Sequence, residues 1–138
     1  MVPVIVHCLA HCRLASAQAN AAKRGLLLCS PPYGAEVLGA GIFVAMTKQI
    51  AHEYSGLETA ALLHCGDQPG MALNALRRGA RWITLDAPEE VLSKIRDMAQ
   101  KQGAHLIGTY PDALDLGEAG YPERDCREWF RTAADFSL

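Results

Sequence analysis

The chain has 138 residues, with 13 basic and 15 acidic side chains and a formal net charge of −2. This length supports one domain with a substantial core and is too short for two ordinary domains, so we expect a single domain over residues 1–138. The charge balance gives no general nucleic-acid surface, because phosphate binding needs an excess of Lys and Arg. Arg77, Arg78 and Arg81 form the one basic cluster, and we interpret them as a solvated helix end.

Membrane and secretory features are missing from the sequence pattern. No apolar stretch approaches the roughly 20 residues that a membrane-spanning helix needs, and Met1 runs into a strand candidate without a basic leader and an apolar core. The five cysteines are an odd number, which does not indicate a secreted disulfide framework. We therefore expect reduced thiols, a cytoplasmic location and no membrane partner.

Short apolar runs alternate with amphipathic segments along the chain, and turn residues separate them. Apolar runs of this kind predict buried strands, and apolar residues at helical spacing predict helices. The predicted elements are, in order, a strand at 2–7, a helix at 14–23, a strand at 26–29, a helix at 35–54, a strand at 59–64, a helix at 70–78, a strand at 82–85, a helix from 86 to about 102, a strand at 105–107 and a helix at 123–134.

Five strands separated by helices predict an α/β domain with a mostly parallel sheet, right-handed crossovers and helices on both faces. Two strand orders satisfy the pattern. One is an open flavodoxin-like sheet in an order such as 2-1-3-4-5, and the other is a partial (β/α)8-like barrel in the order 1-2-3-4-5. Residues 109–138 are expected to form a tail and helix whose Trp129, Phe130 and Phe136 cover the core or an interface.

Histidine and cysteine close three of the predicted strands. His7 ends the first strand and Cys8 follows it, Cys29 ends the second, and His64 ends the third with Cys65 directly after it. The carboxyl ends of parallel strands share one edge of the sheet, and ligands of α/β proteins bind there. The sequence therefore predicts a small-molecule or anion site at this edge.

Cys65 is the candidate nucleophile. A helix is predicted to begin shortly after it, and a helix amino terminus lowers the pKa of a thiol. Within an enzyme hypothesis, His64 or His7 acts as the acid and base, and Asp86, after the fourth strand, orients the histidine. The competing interpretation is a cysteine that only packs in the core.

The loops after the second and third strands are candidate ligand-binding segments. Prolines stiffen the first loop, so that its tyrosine would close over a small ligand, and the second loop leads into a helix whose free N–H groups attract anions. Ordinary loop packing is the alternative. The candidate ligand-binding residues are Cys29, Ser30, Tyr33, Gly66 and Asp67.

A metal site is the third hypothesis for this edge. His7, Cys8, His11 and Cys12 place four nitrogen and sulfur ligands within six residues, and such ligands suit zinc or copper. A divalent metal such as zinc, held by His7, Cys8 and Cys65, is the cofactor that this hypothesis implies. Against it, adjacent residues of a strand point to opposite faces, so His7 and Cys8 do not readily share one ion.

Several segments together resemble the first five strand–helix units of the class II fructose-bisphosphate aldolase family, over residues 2–108. They are Val2-Pro3-Val4-Ile5-Val6, the Ala-rich helix, Leu26 to Ser30, Leu63-His64-Cys65-Gly66, Ile83-Thr84-Leu85-Asp86 and Gly103-Ala104-His105-Leu106-Ile107-Gly108.

The third strand of that family usually ends in Asp-His-Gly. The resemblance implies that His64 takes the place of its catalytic Asp, Cys65 that of its metal-binding His, and Asp86 that of the Asp after strand four. The later strands, which bring the other metal ligands and the phosphate-binding loops, fall outside the resemblance. It therefore implies a half-barrel architecture with an exposed sheet edge that the tail or another subunit covers.

Two classes of function follow from these observations. One is a lyase-like or thiol- or metal-dependent enzyme acting on a small molecule or anion. The other is a non-catalytic binding or assembly protein that keeps an aldolase-like half fold. In either case we expect a homodimer or a higher homo-oligomer, because a partial barrel leaves an open edge.

Overall fold

The computed structural model describes residues 1–138 and contains one open sheet of six parallel strands, flanked by five helices. The α/β class and the parallel sheet are confirmed. The first four strands are short and mostly apolar, as expected where a sheet is buried on both faces. The strands are β1 (Val2–Ile5), β2 (Leu26–Cys29), β3 (Thr59–His64), β4 (Trp82–Thr84), β5 (His105–Leu106) and β6 (Leu114–Asp115).

Helices connect the first five strands in turn, as the sequence pattern predicts. Gly79 and Gly103 follow two of them with positive φ angles of 94° and 70°, which glycine adopts without strain. The first helix begins five residues earlier than predicted, directly after Cys8. The helices are α1 (Leu9–Ala22), α2 (Ala40–Glu53), preceded by a short π-helical segment (Ala35–Gly39), α3 (Pro69–Arg77), α4 (Glu89–Lys101) and α5 (Pro122–Thr132).

The strand order is β5-β4-β3-β2-β1-β6. The first five strands are neighbours in chain order, so the 1-2-3-4-5 alternative is correct and the 2-1-3-4-5 alternative is wrong. The sixth strand was not predicted. It returns to the far side of β1, where Asp115 pairs in register with Ile5.

All helices that pack on the sheet lie on one face. The main core joins this helix face to buried helix residues such as Ala15, Phe43 and Ala75. The opposite face carries a smaller cluster around Leu27 and Leu62, which contacts no helix residue. The predicted placement of helices on both faces is therefore wrong. Right-handed connections between consecutive strands, all stepping in one direction, place every helix on the same side.

The helix-free face is covered by chain that follows β5. Ile107, Tyr110 and Ala113 from residues 107–113 pack on this face, as do Phe136 and Leu138 from the carboxyl terminus. Residues of the tail thus cover the smaller hydrophobic cluster around Leu27 and Leu62.

The aromatic residues of the tail also contact the rest of the chain. Phe130 is buried in the main core, and the Trp129 indole N–H donates a hydrogen bond of 2.8 Å to the Pro3 carbonyl. The backbone N–H of Phe136 donates to the Met1 carbonyl. These contacts tie α5 and the terminus to β1. None of the helices combines the length and the apolar composition that crossing a membrane requires.

Replacing Phe130 by alanine should lower the free energy of unfolding by about 3–5 kcal/mol, the usual result of emptying a buried aromatic site. Phe130 is only 2% exposed, whereas Tyr121, just before the same helix, is 65% exposed. Urea denaturation followed by circular dichroism measures both variants. Equal and small losses for F130A and Y121A would mean that α5 contributes nothing to the core.

Candidate functional site

The helix-free face ends in a layer of polar side chains at the carboxyl edge of the sheet. Side chains alternate between faces along a strand, so the residues two positions after Ile5, Leu27, Leu62 and Trp82 continue the same face. We define the carboxyl-edge layer as His7, Cys29, His64, Thr84 and Asp115, together with Tyr110 from the covering segment.

His7 and Asp115 form an imidazole–carboxylate pair. The distance between His7 Nε2 and the Asp115 carboxylate oxygen is 2.7 Å, and the same oxygen accepts the backbone N–H of Gly117 at 2.8 Å. A β-carbon at Gly117 would lie 2.7 Å from His7 Nε2, so this approach requires glycine. The pair assigns the proton to Nε2 and leaves His7 Nδ1 without a protein partner.

The backbone before α1 connects His7 to a second imidazole. The His7 N–H donates to His11 Nδ1 at 3.1 Å, and the two rings lie edge to face with centroids 5.7 Å apart. Burial, with a smaller contribution from His7, lowers the pKa of His11, although the Asp115 carboxylate opposes the shift. His11 is thus a neutral side chain, and its Nδ1 helps to hold the backbone of His7 in place.

His64 is held in the same Nε2–H tautomer as His7, but here the unprotonated nitrogen is engaged and the protonated one is free. Its Nδ1 accepts the backbone N–H groups of Tyr33 at 2.9 Å and Gly66 at 3.1 Å. Protonation at Nδ1 would break both hydrogen bonds, and burial lowers the pKa of His64. His64 is therefore a neutral imidazole whose Nε2 carries the proton and has no protein partner.

Tight backbone geometry holds this acceptor in place. Gly66 has a φ of 65°, and a β-carbon there would lie 2.4 Å from the Tyr33 ring. The Tyr33 ring centroid is 5.3 Å from that of His64. Of the predicted ligand-binding residues, Tyr33 and Gly66 thus act by positioning His64.

Ser30 and Tyr110 link β2 to the histidine. The Ser30 hydroxyl accepts the His64 backbone N–H at 2.9 Å, and the Tyr110 hydroxyl donates to the Ser30 carbonyl. The Tyr110 ring stands edge-on to His64, with centroids 5.0 Å apart. Burial raises the pKa of Tyr110, and the Asp115 carboxylate adds to the shift, so the phenol stays protonated.

Thr84 completes the layer beside His64, its register partner on the neighbouring strand. The side chain is buried, and its hydroxyl is the one buried side-chain polar atom of the protein without a hydrogen-bond partner. An unsatisfied buried hydroxyl costs about 1–3 kcal/mol. The large majority of buried polar side-chain atoms in proteins have a partner, so this hydroxyl is an exception.

The predicted thiol chemistry does not agree with the structure. Cys65 lies on the helix face, where it is buried, and this burial raises its pKa to about 12. The sequence had predicted that the helix amino terminus would lower the pKa of Cys65. Burial also raises the pKa of Cys29 to about 12. Desolvation of the thiolate thus outweighs any gain from the amino terminus of α3, which begins four residues after Cys65.

Asp86 does not orient a histidine. It is exposed, its carboxylate makes no hydrogen bond or ion pair, and only its backbone N–H is engaged, by the Gly66 carbonyl at 2.8 Å. Asp67 is likewise exposed, with no side-chain hydrogen bond. The carboxylate that does contact a histidine, and so orients it, is that of Asp115.

The predicted metal ligands are not assembled. No group of three or more His, Cys, Asp or Glu side chains is placed to hold a metal ion. Cys8 is exposed as the residue preceding α1, whereas Cys65 is buried on the helix face. The alternation of side chains along the strands separates these ligands, so zinc stays a sequence-based prediction.

Sequence reasoning missed Asp115, Tyr110 and Thr84. Asp115 and its neighbours were read as a turn-forming tail, although Ala113-Leu114-Asp115-Leu116 alternates in the manner of a strand. Thr84 was placed correctly in a strand without a role. The contact of Tyr110 with Ser30, 80 residues away in sequence, left no local signal.

No protein-family model and no curated protein matches this sequence. The resemblance to class II aldolases therefore stays a prediction, and the function must be argued from the site.

Native protein treated with iodoacetamide at about pH 8 should be modified at Cys8, because Cys8 is exposed and the other four cysteines are buried. Cys65 should react only after denaturation, since a thiol with a pKa near 12 holds little thiolate at that pH. Peptide mass spectrometry assigns the sites. Preferential native labelling of Cys65 would restore the activated-thiol hypothesis.

Below about pH 6.5, the free energy of unfolding should fall more steeply for the wild type than for the H64N variant. A lowered pKa in the folded state means that the unfolded state takes up the proton first, so stability is present above the ordinary value of 6.5 and is lost as the pH falls through the folded pKa. Asparagine keeps an acceptor near the Nδ1 position and does not titrate.

Urea titrations at several pH values give this comparison. His11, whose pKa is lowered as well, contributes the same slope to both proteins. Identical pH profiles for wild type and H64N would show that His64 is not held neutral by the fold.

Proposed function

We propose that the carboxyl-edge layer binds a small anionic carbonyl compound and transfers a proton at the carbon next to its carbonyl group. The observation that carries this proposal is that two imidazoles present complementary free nitrogen atoms, one without a proton and one with a proton. His7 has a free Nδ1 backed by a carboxylate, and His64 offers a fixed Nε2–H.

His7 is the proposed base. A carboxylate on one ring nitrogen orients the imidazole and stabilises its protonated form, as general base catalysis requires. The C–H bond next to the carbonyl breaks, the proton moves to His7 Nδ1, and the electron pair moves to the carbonyl oxygen to form an enolate. Return of the proton to another atom gives an isomer. In the lyase-like reaction His7 would instead take the proton of a β-hydroxyl group, the carbon–carbon bond would break to release an aldehyde or ketone, and the enolate left behind would regain the proton at carbon.

His64 is the proposed donor to the enolate oxygen. A neutral imidazole donates a hydrogen bond without having to lose a charge, and preorganised donors of this kind stabilise developing oxyanions. The unpartnered Thr84 hydroxyl lies on the adjacent strand and adds a second donor. His7 follows β1 and His64 ends β3, with β2 between these strands, so their backbones are separated by roughly 10 Å. A molecule of a few carbon atoms spans the space between the rings.

The anionic character of the ligand is supported by the start of α1. This helix of 14 residues begins directly after Cys8, and no side chain caps its first N–H groups. Free N–H groups at a helix amino terminus attract anions. A carboxylate or phosphate on the ligand would thus lie beside His7.

The alternative is a binding or assembly protein without catalysis, and one observation favours it. Tyr110 lies at the end of β2, the strand between those of the two histidines, where it contacts His64 and hydrogen-bonds the Ser30 carbonyl. If this ring stays in place, it occupies space that a substrate would need.

Self-association and a cytoplasmic location belong to the same proposal. The aromatic residues first assigned to an interface serve the core. The surface we propose for a second copy is therefore the outside of the segments that cover the helix-free face, where Met1 and Leu138 are only partly buried. Five unpaired cysteines support a reducing compartment.

The proposal is tested by α-proton exchange in D2O, followed by proton NMR, with pyruvate, dihydroxyacetone phosphate and neutral dihydroxyacetone as probes. The wild type should accelerate exchange of at least one anionic probe. H7A and H64N should each reduce that rate by about 10²–10⁴-fold, the usual contribution of a positioned acid or base.

His52 supplies the matched control, since it is exposed on α2 and makes no hydrogen bond to the layer. H52A should keep the wild-type rate. Wild type, H7A and H64N exchanging no probe faster than buffer would reject proton transfer on these carbonyl compounds and leave the non-catalytic alternative.

A further inference from the structure

A cavity of about 520 Å³ lies on the helix face, between α2 and the amino-terminal ends of β3 and β4. Its volume is in the range of about 300–1,000 Å³ that is typical of small-molecule sites. Small residues explain the space, because Ala51 of α2 and Ala61 of β3 face it and Gly79 and Ala80 lead into β4. No residue of the carboxyl-edge layer lines it.

The inner walls of this cavity are apolar. Leu28, Phe43, Val44 and Leu63 supply much of the lining, and Phe43 and Leu63 are buried in the main core. The hydroxyl of Thr47, on the same wall, is already bonded to the Phe43 carbonyl at 3.0 Å. These apolar walls favour a hydrocarbon chain.

The rim of the cavity is positively charged. Lys48 and Arg81 line it, and no aspartate or glutamate does. Arg77 ends α3, and Arg78 and Arg81 follow it before β4. None of these arginines forms an ion pair within the protein, and neither does Lys48. One member of the basic cluster seen in the sequence, Arg81, thus lines this cavity together with Lys48, in a protein of net charge −2.

We propose that this cavity binds a single-chain carboxylate, with its alkyl tail of about eight to ten carbons inside the cavity and its carboxylate between Lys48 and Arg81. Apolar walls account for the tail, and the unpaired cations account for the head group. This site is separate from the proposed proton-transfer site and does not depend on it.

Isothermal titration with hexanoate, octanoate and decanoate, all below their micelle concentrations, tests the tail. The affinity should rise roughly three- to fourfold for each added CH2 group, the factor that corresponds to burial of a methylene. No dependence on chain length would overturn the proposal.

Charge variants test the head group. The double variant K48Q/R81Q should weaken decanoate binding about tenfold and leave the binding of 1-decanol unchanged, because only the carboxylate interacts with the two cations. Lys94 on α4 is exposed, makes no ion pair and does not line the cavity, so K94Q is the matched control. The assigned head-group site would be overturned if K48Q/R81Q and K94Q changed the decanoate affinity equally. It would also be overturned if the wild type bound decanoate and decanol with equal affinity.

Filling the cavity tests its location. A61L should abolish decanoate binding, and A51F should do the same from the exposed rim, where a larger side chain does not disturb the core. Thermal unfolding checks that each variant is folded, and A51F keeps the test valid if A61L is not. Wild-type decanoate affinity in folded A51F would place the ligand elsewhere and reject the inference.

Discussion

The order of the strands determines which surfaces of this protein are left for chemistry. Five parallel strands that follow one another in chain order, joined by right-handed connections, place their helices on one face of the sheet. The other face would be exposed apolar surface if nothing covered it. Residues 107–113 and the carboxyl terminus cover it, and the hydrophobic effect acting on Leu27 and Leu62 explains why they do so.

Covering the second face also brings distant residues into the polar layer. The chain must return across the sheet from β5 to reach β1, and on the way it places Tyr110 near His64 and Asp115 beside His7. Both contacts are separated by large distances in sequence. The return of the chain therefore does two things at once: it completes the fold and it supplies the carboxylate that orients His7.

The sequence predicted the parts of the structure that depend on local pattern. The first five strands, the helices between them and the glycine stops at Gly79 and Gly103 follow from apolar periodicity and turn chemistry. The layer was predicted in part, through His7 and His64. Asp115 and Tyr110 could not be assigned, because β6 has only two residues and its partner lies over 100 residues away.

The alternation of side chains along a strand decides which chemistry the carboxyl edge supports. His64 and Cys65 are adjacent, so they point to opposite faces. The thiol enters the helix-packed core, where desolvation raises its pKa, and the imidazole enters the polar layer, where two backbone N–H groups fix its tautomer. Shifting β3 by one residue would exchange these environments. The register that buries Leu63 against the helices is thus the same constraint that places His64, rather than Cys65, in the polar layer at this edge.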